Sequence, residues 1–301
     1  MKVTVTGATG LVGSRLVPRL LERGDEVTVL SRDPDRARSM LDGVEAAEWD
    51  PTGTAPPGGL AGRDGVVHLA GEPVAQRWSD MAKERIWTSR EAGTRCLISG
   101  LREAEPRPGV LVSASGVGYY GPRGDERLDE SADPGDDFLA EVTKVWEAEA
   151  AAAEELGLRV VLVRTGVVLD RAGGALARML PPFRAGIGGP VAGGRQYLPW
   201  IHLDDLVGIY LAALDGDDWS GPINASAPEP VTNREFSKAL GRALHRPAFA
   251  PVPAFALRAL YGEMAEIVTT GQRAIPKRAT DLGYAFRHPD LDEALAAALG
   301  S

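Results

Sequence analysis

The chain has 301 residues, with 33 Lys plus Arg against 42 Asp plus Glu, a formal net charge of −9. That balance argues against a protein that holds nucleic acid or an anionic membrane by bulk charge, and the single cysteine, Cys96, allows neither an internal disulfide nor a cysteine-based zinc site. Met1 opens directly onto a strand-like run, and no stretch approaches the roughly 20 apolar residues of a membrane span, so ordinary globular composition and a cytoplasmic location are the expectation.

In chain order, Lys2–Thr6 is the first expected strand, followed by a helix from about Leu11 to Arg23 that stops at Gly24. Further strands are expected over 26–30, more weakly over 44–49, and over 65–69, 110–113 and 159–164. Helices are expected over 80–104 and 138–156. Strand–helix alternation with near-continuous apolar strands implies an α/β fold: a Rossmann-like, doubly wound parallel sheet covered on both faces. Beyond Asp170 the pattern changes. Gly, Pro and Arg crowd 173–199 around one short helix, and helical pieces are expected over 232–244 and 253–271.

Directly after the first strand comes Thr6-Gly7-Ala8-Thr9-Gly10-Leu11-Val12-Gly13. Gly7 permits a tight strand-to-helix turn, Gly10 a close approach of backbone to a pyrophosphate, and Gly13 close helix–strand packing. Thr9, Leu11 and Val12 complete the turn, whose amides and helix dipole face the phosphates. This assigns 1–170 to a dinucleotide-binding domain and 171–301 mostly to a smaller C-terminal substrate lobe, with elements from about 199–225 returning to the first domain.

The end of the second strand selects the cofactor. An acidic residue there accepts from ribose hydroxyls and favours NAD(H); here Ser31 is followed by Arg32, which suits the 2′-phosphate of NADP(H). Arg36 and Arg38 are further candidates, and Asp33 stands one residue late for the NAD role. The fourth strand runs into His68-Leu69-Ala70-Gly71-Glu72, where small residues at 70 and 71 let a ribose or nicotinamide approach. Glu72 reads equally as a crevice charge or a solvated loop carboxylate, and His68 as a packed strand residue.

TGATGLVG, DGVVHLAGEP, LVSASGVGYYG and PWIHLDD, in this order, resemble the short-chain dehydrogenase/reductase superfamily in its extended, NAD(P)-dependent epimerase/dehydratase form. RWSDMAKERIWTSR, RTGVVLDRAGGAL and NASAPEPVTNREF narrow the resemblance to the branch described as epimerase family proteins. That resemblance implies cofactor contacts at Ser31, Arg32, Leu69, Ala70, Arg90 and Val168. Ser113 is counted with the cofactor-lining residues, although a plain strand role competes.

The resemblance also implies a Ser/Thr, a Tyr and a Lys, the last two in a Tyr-x-x-x-Lys pair on one helix, moving a proton to or from a substrate oxygen. Ser115 fits the first role and Lys144 the last, but Ala140 stands four residues before Lys144, and the helix has no Tyr. Tyr119 and Tyr120, on the loop after the fifth strand, are the substitute acid/base candidates; aromatic pocket walls are the competing reading. In Trp200–Asp205, Asp204 or Asp205 is expected to cap a helix, and His202 with Asp204 lacks the further ligands of a metal site, so no metal is expected. His288 carries no signal, and Trp78, Trp87 and Trp146 read as core or interface residues. Arg195, Gln196 and Tyr197 are positioned to reach a substrate in the lobe crevice. The sum is an NADP(H)-binding protein acting on a hydroxyl or carbonyl of a small, nucleotide-sugar-like substrate, or a cofactor-binding sensor without turnover. A homodimer through the helices 80–104 and 138–156 is compatible with both.

Overall fold

The computed structural model describes residues 1–52, 56 and 58–300. Seven parallel strands form the central sheet: β1 (Lys2–Thr6), β2 (Glu26–Ser31), β3 (Glu45–Glu48), β4 (Gly65–His68), β5 (Val110–Gly116), β6 (Arg159–Thr165) and β7 (Gly221–Ala225). Their spatial order is 3-2-1-4-5-6-7, so the direction of winding switches between β1 and β4. In such a sheet ligands sit at that switch, beyond the carboxyl ends of the strands.

Period-2 side-chain alternation sends the strands' apolar residues to two different cores, one on each face of the sheet. Val3 and Val5 join Val27, Val29 and Val67 under α1 (Gly13–Glu22) and α6 (Leu203–Asp215). On the other face Val66, Leu111, Val160 and Leu162 pack against α3 (Asp80–Glu103) and α4 (Phe138–Ala151). α2 (Pro34–Met40) connects β2 to β3. The remaining helices are α5 (Gly174–Arg184), α7 (Asn233–Ala243), α8 (Ala254–Tyr261), α9 (Ala265–Thr269), α10 (Lys277–Asp281) and α11 (Leu291–Leu299). A separate core of Leu176, Phe183, Trp200, Phe236, Leu240 and Leu295 sits under α5, α7 and α11. No helix among the described residues is long and apolar enough to cross a membrane.

Three details depart from the sequence reading. The helix expected over 253–271 is broken at Gly262, whose φ of +63° leaves the helical region, so α8 and α9 are separated by a 3-10 turn, Gly262–Met264. α6 is capped not by Asp204 or Asp205 but by His202, whose Nδ1 accepts from the Asp204 amide at 3.1 Å; the two aspartates lie in the first turn, facing the helix dipole. Asp205 instead accepts the backbone amides of Arg287 and His288 at 2.7 and 2.9 Å. It thereby draws His288 onto His202, their ring centroids 4.0 Å apart, although the sequence showed no link between them.

Candidate cofactor and substrate site

The turn 7–13 is locked by fit. Gly7 has φ +68°, and a Cβ there would lie 2.6 Å from the Leu69 carbonyl carbon; at Gly13 it would lie 2.5 Å from Ala8 Cα. The Gly10 amide bonds the Gly7 carbonyl at 3.0 Å, closing the loop. The amides of Leu11, Val12 and Gly13 have no acceptor among the described residues, and the first turn of α1 holds no acidic side chain. Consecutive free donors at a helix N-terminus fit a pyrophosphate.

At the end of β2 the Ser31 hydroxyl accepts from the Asp33 amide at 3.2 Å, and the Asp33 carboxylate caps α2 by accepting from the Arg36 amide at 2.9 Å. Asp33 is thus committed to the fold as a helix cap. Arg32 is exposed and forms no ion pair among the described residues; Arg38 is spent on Asp35 and the Ala46 carbonyl. A free guanidinium beside a tied-up carboxylate fits a phosphate better than a bare ribose.

The β4 end is ordered through Thr6. Its hydroxyl accepts the Leu69 and Ala70 amides, both at 3.2 Å, and therefore donates its single proton to His68 Nδ1 at 2.8 Å. His68 Nε2–H in turn donates to the Thr94 hydroxyl at 3.1 Å. Full burial, aided by the nearby Arg90 charge, pushes the His68 pKa down to about 4. His68 is thus a neutral packing residue, as its strand context implies.

Gly71 leaves room for the Arg90 guanidinium, 3.4 Å from where a Cβ would be. Arg90 donates to the Glu72 and Ile86 carbonyls and lies 4.7 Å from the Trp146 ring centroid. Burial pushes its pKa down to about 10, against the opposing pull of Glu72. The Glu72 carboxylate is held below its ordinary range first by the Gln76 amide and then, against some burial, by Arg85; it braces the wall.

Beyond Arg90 opens a cavity of about 650 Å³ between β5, α4 and the segment 263–272. Ser115 lines it, donating its proton to Glu147 Oε1 at 2.5 Å. Glu147 is held by two bonds from Arg164, each 2.8 Å, with both side chains less than a tenth exposed. Burial alone would lower Arg164, but its pairing with Glu147 dominates and raises it above its ordinary value. Ser113 is fully buried inside β5, and Val167, rather than Val168, reaches the cavity.

The tyrosines go elsewhere. Tyr120 is fully buried; its hydroxyl donates to Asn224 Oδ1 at 2.7 Å and accepts from Arg164 at 3.0 Å. Burial outweighs Arg164 and pushes its pKa up to about 12, far from a working acid/base. Tyr119 stacks on Arg164, 3.4 Å from the ring centroid, and neither tyrosine lines the cavity. The loop leaving β5 folds as a 3-10 turn, Val117–Tyr120, and rotates both rings toward β6.

Lys144 is likewise outside: it pairs with Glu141 at 2.5 Å on the outer side of α4. Of α4, Phe138, Leu139, Val142, Thr143 and Trp146 line the cavity, whereas Ala140 and Lys144 do not. Thr143 Oγ1 is itself bound to the Leu139 carbonyl at 2.7 Å.

Trp78 and Trp146, read as core or interface, are cavity walls, as is Tyr197; Arg195 is exposed outside the lining. Glu147 and Arg164 escaped the sequence reading, although a charge ending the apolar run RVVLVR was a usable signal. His202, Asp204 and His288 bring donor atoms within 4.8 Å of one another. Arg15, however, holds Asp204 at 2.9 Å, and the helix cap occupies His202 Nδ1.

The strand order and the glycine turn define an extended Rossmann-type protein of the short-chain dehydrogenase/reductase kind. The chain belongs to the NAD dependent epimerase/dehydratase family, whose model matches residues 3–224; a domain of unknown function matches 252–298. It is 42% identical to the epimerase family protein SDR39U1 homolog, chloroplastic, of Arabidopsis thaliana, over 99% of this chain and 86% of that one. The crystal structure of human epimerase family protein SDR39U1 (isoform 2) with NADPH aligns at a TM-score of 0.89 and 37% identity, covering 100% of both chains. A nucleoside-diphosphate sugar epimerase from Corynebacterium glutamicum aligns at 0.79 and 37% identity, covering all of this chain and 58% of that one.

Proposed function

We propose that the chain is an NADP(H)-dependent oxidoreductase of the epimerase type, acting on a hydroxyl or carbonyl of a small molecule bound in the cavity beside Ser115. The carrying observation is the division of labour at the end of β2: Asp33 is tied up as a helix cap while Arg32 is free. The human relative crystallised with NADPH supports the same cofactor. The amides of Leu11, Val12 and Gly13 hold the pyrophosphate, Arg32 and Ser31 the adenosine phosphate, and Arg90 the nicotinamide half. When bound, the nicotinamide supplies or takes a hydride. Ser115 spends its proton on Glu147, so its remaining lone pairs accept from a substrate hydroxyl and orient it.

NADPH and NADH titrations test the cofactor. NADPH binds more tightly, and Arg32→Ala raises its Kd about ten- to a hundredfold, the worth of a charged hydrogen bond, while sparing NADH. Equal affinities would overturn the assignment. Ser115→Ala lowers turnover on the order of 10²-fold without changing NADPH affinity. One observation favours the second reading, a cofactor-binding sensor: the α4 residues lining the cavity, Phe138, Leu139, Val142, Thr143 and Trp146, include neither Tyr nor Lys. Absence of any NADPH oxidation across a panel of carbonyl compounds would select it.

A further inference from the structure

The cavity's charge and wall chemistry bear on what it admits, taking the cavity as the substrate site. Its lining holds three carboxylates, Asp137, Glu263 and Glu266, against two cations, Lys83 and Arg90. Both cations already have partners. Lys83 is ion-paired with Glu263, and its ammonium sits 5.1 Å from the Phe138 ring centroid. Arg90 is bound to backbone carbonyls and covers Trp146. Asp137 is spent as the cap of α4, accepting from the Ala140 amide at 2.8 Å. Glu266, at the exposed mouth, has no side-chain partner among the described residues. The lobe's Arg273 lies 4.7 Å from the Tyr197 ring centroid and does not line the cavity.

A nucleotide diphosphate sugar brings two negative charges and needs cations in bidentate reach. Here it meets, at the mouth, a carboxylate with no side-chain partner among the described residues, and like charges repel. The walls are apolar and aromatic. Trp78 and Phe138 meet edge to face, centroids 5.0 Å apart, and Leu139 and Val142 continue the same surface.

We infer that the cavity takes an uncharged, largely apolar molecule with a planar or aromatic body, and that it excludes nucleotide diphosphate sugars. The roof that enforces this is the segment from Ala259, clasped to the sheet domain by Lys83–Glu263 and by Arg77, which donates to the Ala259 and Leu260 carbonyls at 2.9 and 3.1 Å.

Isothermal titration of the NADP⁺-loaded protein with 2-acetylnaphthalene, 1-naphthyl phosphate and UDP-glucose tests this. 2-Acetylnaphthalene saturates at least about tenfold more tightly than 1-naphthyl phosphate, and UDP-glucose gives no saturable heat. Glu266→Lys narrows the gap between the two naphthyl probes several-fold, and Leu139→Trp, which fills the cavity, abolishes probe binding while NADP⁺ affinity holds. Overturning results are UDP-glucose or naphthyl phosphate binding as tightly as the neutral probe, no saturation by the neutral probe, or a gap unmoved by Glu266→Lys. Cofactor affinity and turnover are separate assays, so an inactive protein that still prefers the neutral probe counts against the enzyme reading alone. An active one that prefers UDP-glucose counts against the substrate class alone.

Discussion

A single buried chain of polar contacts, Ser115–Glu147–Arg164–Tyr120–Asn224, joins the cavity wall to the far edge of the sheet. Every link has its partner, which is what makes burying an ion pair tolerable. Tyr120→Phe removes two of these bonds and leaves Asn224 Oδ1 short of a donor. It therefore costs about 1–3 kcal/mol in urea unfolding while NADPH affinity stays unchanged. An acid/base role would show the opposite pattern, intact stability and lost turnover. Glu147→Gln leaves Arg164 charged and uncompensated and is the more damaging change, by about 3–5 kcal/mol. The Tyr119–Tyr120 pair was visible in the sequence, but the direction of its rings was not, because Arg164 lies 44 positions from Tyr120 and attracts both rings.

At the scale of elements, the β1–α1 turn separates fold from function. A Cβ on Gly13 would strike the Ala8 backbone at 2.5 Å, whereas one on Gly10 meets only the Gly7 carbonyl at 3.3 Å. Gly13→Ala therefore lowers the melting temperature of the cofactor-free protein, through an overpacking cost of about 1–3 kcal/mol. Gly10→Ala leaves that temperature nearly unchanged and weakens NADPH binding, since the added methyl crowds the turn proposed to receive the pyrophosphate. Equal effects on melting would remove the distinction. The helices themselves were legible from their apolar spacing; their rotation was not. One residue turns a helix by about 100°, enough that Leu139 and Thr143 line the cavity while their neighbours Ala140 and Lys144 do not.

For the whole molecule, the carboxyl end of the sheet depends on a histidine that must stay neutral. His68 titrates near 6.5 when unfolded and at about 4 when folded. Between those values the unfolded chain binds more protons, so stability is complete above about pH 6.5 and falls as the pH drops toward 4. The loss reaches about 3 kcal/mol. His68→Asn flattens the slope of denaturation free energy against pH in that window, and an unchanged slope would show that other groups set it.

The first six strands along the chain, the glycine turn and the break in pattern after Asp170 were all determined by local sequence, because alternation, turn chemistry and strand ends act over a few neighbouring residues. The long-range pairings were decided only by tertiary structure. Asp205 reaches Arg287 and His288, Glu147 reaches Ser115 and Arg164, and the carboxylates of 263–266 close over Trp78 and Phe138. A buried charge takes whichever partner the folded chain brings to it, and a cavity takes the sum of walls from separate segments. Neither partner nor wall is set by spacing along the chain.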